Sequence, residues 1–148
     1  MIQDILVIGT TSYTGARLRV IDSTDGTPET GFAYNTGGID LWYQRQGATR
    51  TAIAEVTLAA VDTAYSSGGV IHVSDGYVRL DLPDAALVTG ATFVDFGGTA
   101  TGMVIIGGRI KLTAGFSFAD AVRAGLTALP NAAAEAAGGL YTRGAGAG

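Results

Sequence analysis

Val70-Ile-His-Val-Ser-Asp75-Gly76-Tyr77-Val-Arg-Leu80 decides the fold class. Two short runs of strand-forming residues flank Asp75-Gly76, a pair suited to the left-handed dihedrals of a two-residue hairpin turn. Val78, Leu80 and Leu82 then alternate with Arg79 and Asp81, which places the apolar set on one face of a sheet. The same alternation recurs upstream. Leu18 and Val20 alternate with Arg17 and Arg19, and Ile39, Leu41 and Tyr43 with Asp40, Trp42 and Gln44. Ala52, Ala54, Val56 and Leu58 alternate with Ile53, Glu55 and Thr57. Turn signals separate these runs at Thr14-Gly15, Asp25-Gly26, Gly37-Gly38, Gly47, Gly68-Gly69, Gly90, Gly97-Gly98 and Gly107-Gly108. Their spacing is near that of an all-β sandwich or barrel. Met103–Ile106 and Arg109–Leu112 read as one long strand kinked at the double glycine. After Leu82, Pro83-Asp84-Ala-Ala-Leu87 predicts a single helical turn that Gly90 ends.

The expectation is a mainly β protein: a β-sandwich of roughly seven to nine strands, immunoglobulin-like or jelly-roll-like, over residues 1–115. A change of pattern follows. Ser117-x-x-Asp120 resembles a capping box, and Phe118, Val122, Leu126 and Leu129 fall on one helical face. Pro130 stops that helix. Residues 116–137 therefore read as a short helical junction, and 138–148 as a Gly/Ala-rich tail. With Phe116, the stripe Phe118, Val122, Leu126 and Leu129 is the candidate surface for packing against copies of the same chain.

The chain has 148 residues, one domain's worth, with 47% hydrophobic and 15% charged residues and 23 glycines. Formal net charge is −4, and the nine basic residues are dispersed rather than gathered into a phosphate-tracking patch. Nucleic-acid binding is disfavoured on that ground. No cysteine is present, which removes disulfides, thiolate nucleophiles and zinc–sulfur sites. The N-terminus has no basic region before its four-residue apolar run and does not read as a signal peptide. No apolar run reaches the length of a membrane span.

Chemistry-bearing residues read as structural. His72 is the lone histidine and sits within an apolar strand. Asp22-Ser-Thr-Asp25-Gly26 lacks calcium-loop spacing and reads as a turn. For Asp81 and Asp84, either side of Pro83, the expectation is a solvated Asp81 and an Asp84 that caps the helical turn. Gly97-Gly98 and Gly107-Gly108 lack the Gly-Lys-Ser/Thr ending of a phosphate loop. Trp42, Tyr43 and Tyr34 are the candidates for an aromatic platform, and alternation puts Trp42 and Tyr43 on opposite sheet faces. No catalytic, metal or cofactor site is expected.

Two segments carry a family resemblance. One is Ala64-Tyr-Ser-Ser-Gly-Gly69 with Gly76-Tyr-Val-Arg-Leu-Asp81-Leu-Pro83-Asp84-Ala-Ala-Leu-Val-Thr-Gly90-Ala91. The other is Asp120-Ala-Val-Arg-Ala-Gly-Leu-Thr-Ala-Leu129-Pro130-Asn131-Ala-Ala-Ala-Glu-Ala-Ala-Gly-Gly-Leu140. Together they resemble a β-domain and helical junction of tail-fibre and baseplate-type structural proteins of tailed bacteriophages. Gly38-Ile-Asp-Leu-Trp-Tyr-Gln-Arg-Gln-Gly-Ala-Thr-Arg50 resembles the strand that opens such domains, so the likeness covers roughly residues 15–140.

The resemblance implies a non-enzymatic virion component at the tail fibre, baseplate or an adaptor, assembled in the host cytoplasm. It also implies a homo-oligomer, trimeric by preference, with other virion proteins as partners. The family's junction leads into a longer distal region, whereas here the chain ends in Gly-Ala, so a short adaptor, a truncated fibre or a surface decoration protein is expected rather than a receptor-binding head. Two other readings stand beside it: a capsid decoration or head-fibre protein, and a carbohydrate-binding β-sandwich module using Trp42 and Tyr34.

Overall fold

The computed structural model describes residues 2–115. The expected junction, with Phe116, Phe118, Val122, Leu126 and Leu129, and the expected tail lie outside the described residues.

Among the described residues, ten strands form two mixed five-stranded sheets. In chain order they are β1 (Ile2–Val7), β2 (Ala16–Asp22), β3 (Asp40–Arg45), β4 (Thr51–Ala52), β5 (Val56–Thr57), β6 (Gly69–Ser74), β7 (Tyr77–Leu80), β8 (Phe93–Thr99), β9 (Met103–Ile106) and β10 (Gly108–Thr113). One sheet has the order β1-β10-β8-β3-β4, the other β5-β6-β7-β2-β9. The β1–β10 and β5–β6 pairs are parallel; the rest are antiparallel. The protein is mainly β, and its only helical element among the described residues is the 3-10 turn Asp84–Ala86, where a single turn is expected.

Both sheets feed one core. Leu18, Val20, Val78 and Leu80 come from one; Leu41, Val94, Phe96 and Ile110 come from the other. Leu82, just before the 3-10 turn, and Ala86 and Leu87 at its end join the same cluster. The alternations over 17–20, 39–43 and 78–82 thus point inward as expected. Asp75 and Gly76 both take positive φ (46° and 74°), the signature of the type I′ turn. The His72 imidazole Nε2 accepts the Gly76 N–H at 3.3 Å, so the lone histidine serves this hairpin.

Three expectations are corrected. The run 52–58 is not one strand: it splits into two-residue β4 and β5, in different sheets, with Ile53 and Leu58 buried and Val56 exposed. The chain crosses between the sheets there, and the Glu55 carboxylate accepts the Leu41 N–H at 2.8 Å. Gly97-Gly98 is not a turn but lies inside β8. The strand count exceeds the expected seven to nine because these short pieces count separately.

A second crossing occurs at the Gly107-Gly108 kink. β9 pairs with β2 in one sheet, and β10 pairs with β8 and β1 in the other. A methyl on Gly107 would overlap the Phe96 carbonyl oxygen, so only glycine lets the chain pass over β8 at that point. Near this crossing the Gln3 side-chain amide donates to Arg17 O at 2.7 Å and accepts the Arg17 N–H at 3.1 Å. A side chain of one sheet's edge strand thereby imitates a strand partner for the other.

Candidate functional site

The β1-β10-β8-β3 sheet carries an exposed apolar row on its edge strand and an open groove beside it. Ile110 and Leu112 of β10 point into the core, so Arg109, Lys111 and Thr113 point out. The parallel register sets Ile2 beside Arg109, Ile5 beside Lys111 and Val7 beside Thr113. A register shift between Ile2 and Asp4 brings Ile2 onto the face shared by Ile5 and Val7, although the spacing is three and then two. The three side chains form an apolar row with exposures of 54%, 59% and 52%. At about 3.3 Å per residue, the row runs some 16 Å along β1.

β1 is a sheet edge, and two of its backbone groups are engaged locally. The Asp4 carboxylate accepts the Ile5 N–H at 2.7 Å, and the Val7 carbonyl accepts both the N–H and hydroxyl of Thr10 at 3.0 and 2.7 Å. Asp4 also accepts the Tyr13 hydroxyl at 2.9 Å. Burial, then the hydrogen bond and charge of Asp4, push the Tyr13 phenol well above the usual tyrosine range. Such capping blunts strand addition at an edge. Beside these groups β1 presents the side-chain row to solvent.

Beside the row lies an open groove of about 570 Å³. Its floor is backbone, from Gly97 and Gly98 of β8 and Gly107 and Gly108 of the crossing. It exists because β10 pairs with β8 only from Phe93 to Phe96; beyond that, β9 has left for the other sheet. Ile2, Ile105 and Trp42 wall it. At one end, Arg109 and Asp95 form a two-pronged ion pair at 2.6 and 2.9 Å, half open to solvent. The carboxylate raises the Arg109 pKa still further, and the guanidinium lies 4.0 Å from the centre of the Phe93 ring.

Trp42 and Tyr43 do fall on opposite faces, with Tyr43 in the core. The indole lies across its cross-strand partner Gly97, where a Cβ would come within 3.0 Å of Trp42 Cζ2. Arg50 stacks on the indole at 4.1 Å. Tyr34 is in the loop between β2 and β3 and is not among the groove's lining residues, so the two aromatics are not brought together there.

The other candidates are structural. Asp81 is not solvated: it is 0% exposed and pairs with Arg79, 3% exposed, through two contacts of 2.8 Å. Arg79 also donates to Val61 O at 2.7 Å, and Asp81 accepts the Ser66 N–H at 3.0 Å. The loop from 58 to 68 thus covers Arg79 and Asp81 at the end of β7, positions that alternation alone assigns to solvent. Asp84 does not cap the 3-10 turn. It is the turn's first residue, Pro83 precedes it without a side-chain cap, and its carboxylate accepts the Ser12 N–H at 2.7 Å. Asp22 Oδ1 accepts the Thr24 N–H at 2.6 Å within its own turn. The Thr27 N–H and hydroxyl hold the Asp25 carboxyl below its usual range.

Sequence reading missed the apolar row and the groove. The row is hidden by the register shift, and the groove arises from two chain crossings far apart in sequence. The glycine pairs were the available signal, since double glycines within strands mark close backbone approach. No family model, no curated protein and no solved structure matches the chain.

Proposed function

We infer that this chain is a non-catalytic structural module that works by assembly, in the tail fibre, baseplate or adaptor region of a tailed-phage particle. The observation that carries the reading is the apolar row of Ile2, Ile5 and Val7 beside an open groove. A contiguous apolar surface of this kind fits protein contact. The low charge content and the resemblance of the 76–91 and 120–140 strings support the same role. The polar candidates also fit it, because His72, Asp81 and Asp84 each serve a turn, a loop or an ion pair.

The wiring favours an immunoglobulin-like sandwich over a jelly roll. The sheet order β6-β7-β2 corresponds to strands D-E-B of that fold, and β4-β3-β8-β10 to C′-C-F-G. Here β9 takes the edge place beside β2 that strand A holds in the immunoglobulin order.

Immunogold labelling of intact particles of the encoding phage tests the role. Label at the tail tip, collar or fibres is expected. Label spread evenly over the head would move the protein to capsid decoration, on which the same face would dock. No label, with the antigen shown to be accessible, would refute a surface place in the particle.

A further inference from the structure

We propose that Gln3 is a register stop: its carboxamide holds the place on β2 that Gly108 would otherwise take, and so fixes where the chain leaves one sheet for the other. The ladder shows which place is held. β2 and β9 pair antiparallel from Asp22 with Met103, through Ile21 with Val104 and Val20 with Ile105, to Arg19 with Ile106. Each step back along β2 is one step forward along β9, so two further steps set Arg17 opposite Gly108. Main-chain direction agrees. Val20 donates its N–H to Gly76 O on the β7 side, and its carbonyl accepts the Glu29 N–H. By the alternation of an antiparallel ladder, Arg17, Arg19 and Ile21 turn their N–H and C=O groups towards β9. Arg17 is therefore a ladder position that presents both groups just past the end of β9.

Gln3 meets them instead. Its side-chain amide donates to Arg17 O at 2.7 Å, and its amide oxygen accepts the Arg17 N–H at 3.1 Å, the two bonds that a strand residue would make. Gly108 is left to pair with Phe96 of β8, in the other sheet. The Gln3 side chain lies against Gly108 itself, where a methyl would overlap the carboxamide. Gly108 thus has two competing partners, Arg17 and Phe96, and β1 selects the second through Gln3. Ile110, fully buried two residues on, keeps the rest of β10 in its sheet and confines the exchange to residues 107–109. Gly107 and Gly108 also line the groove, so the fastening of β1 sets the groove's shape as well.

The test is amide hydrogen exchange with nuclear Overhauser spectroscopy on the full, isotope-labelled chain. Gln3→Met keeps a side chain of similar length and removes both hydrogen bonds. Gly108→Ala leaves Gln3 unchanged but puts a methyl where its carboxamide lies, so the flexible side chain gives way. In each variant the Phe96 amide should exchange at least about tenfold faster, because two hydrogen bonds that oppose the longer ladder are lost. The Arg17 amide should stay protected by its new partner, and a Leu18 Hα–Gly107 Hα contact should appear, the close pair of the longer ladder. Both changes break one contact, so the double variant should exchange no faster than the faster of the two. The Val78 amide, bonded within β2–β7, should keep its wild-type rate. Wild-type exchange at Phe96 in both variants would overturn the proposal. So would an Arg17 amide that loses protection while Phe96 keeps its own, which reduces Gln3 to a surface hydrogen bond. Effects that add in the double variant, or a Val78 amide speeded as much as Phe96, would overturn it too.

Discussion

Replacing Asp81 by alanine separates a structural ion pair from a surface one within a single protein. The change removes both 2.8 Å contacts to Arg79 and the acceptor for the Ser66 N–H. Arg79 keeps only the Val61 carbonyl, on a side chain 4% exposed. Breaking a buried pair from one side leaves an uncompensated charge and costs about 3–5 kcal/mol. At this domain size roughly 3–6 °C of melting temperature corresponds to each kcal/mol, so a fall of about 10–30 °C is expected. Asp95→Ala breaks a pair with the same two-pronged geometry, but its side chains are 44% and 31% exposed. Such a pair contributes about 0–1 kcal/mol. The double change Arg79→Met with Asp81→Leu removes both charges, and should recover much of the loss. Urea titration by circular dichroism and tryptophan fluorescence reads all three. If Asp81→Ala costs under about 1 kcal/mol, or no more than Asp95→Ala, then the 58–68 loop does not seal Arg79 and Asp81 and the reasoning fails.

Further outcomes follow from the same packing. Gly107→Ala forces a methyl onto the Phe96 carbonyl oxygen and should cost about 1–3 kcal/mol or more in denaturant titration. Asp75→Val puts a β-branched residue at φ 46° and should cost about 1–2 kcal/mol, chiefly through the hairpin. Tyr13 holds its proton more tightly folded than unfolded, so its stabilisation is complete below the ordinary tyrosine pKa, about 10, and is lost as pH rises above it. Melting temperatures between pH 9 and 11 should therefore fall less steeply for Tyr13→Phe than for wild type.

The sheet interior was legible because it is local. Leu18 with Val20 and Leu41 with Tyr43 keep a strict period of two, and Asp75-Gly76 carries its turn in its own dihedral preferences. The end of β7 was not legible. Arg79 and Asp81 occupy positions that alternation gives to water, and a loop some twenty residues upstream covers them. Nor was the groove, since Gly107 is required by a carbonyl eleven residues earlier and Gly97 by an indole on another strand. The row on β1 escaped because one register shift breaks the period that would have shown it. Site and fold thus differ for a physical reason: alternation reports a single strand, while the candidate site is built where strands leave one sheet for another.

Hydroxyl-radical footprinting of Ile2, Ile5 and Val7 in the full chain, free and in intact particles, tests the assembly account most directly. The account predicts that these side chains are oxidised freely in the free chain and are protected together in the particle. Exposed Val61, away from this face, should stay reactive throughout and serves as the internal reference. Undiminished oxidation of the three residues under conditions where the chain is demonstrably associated would contradict it.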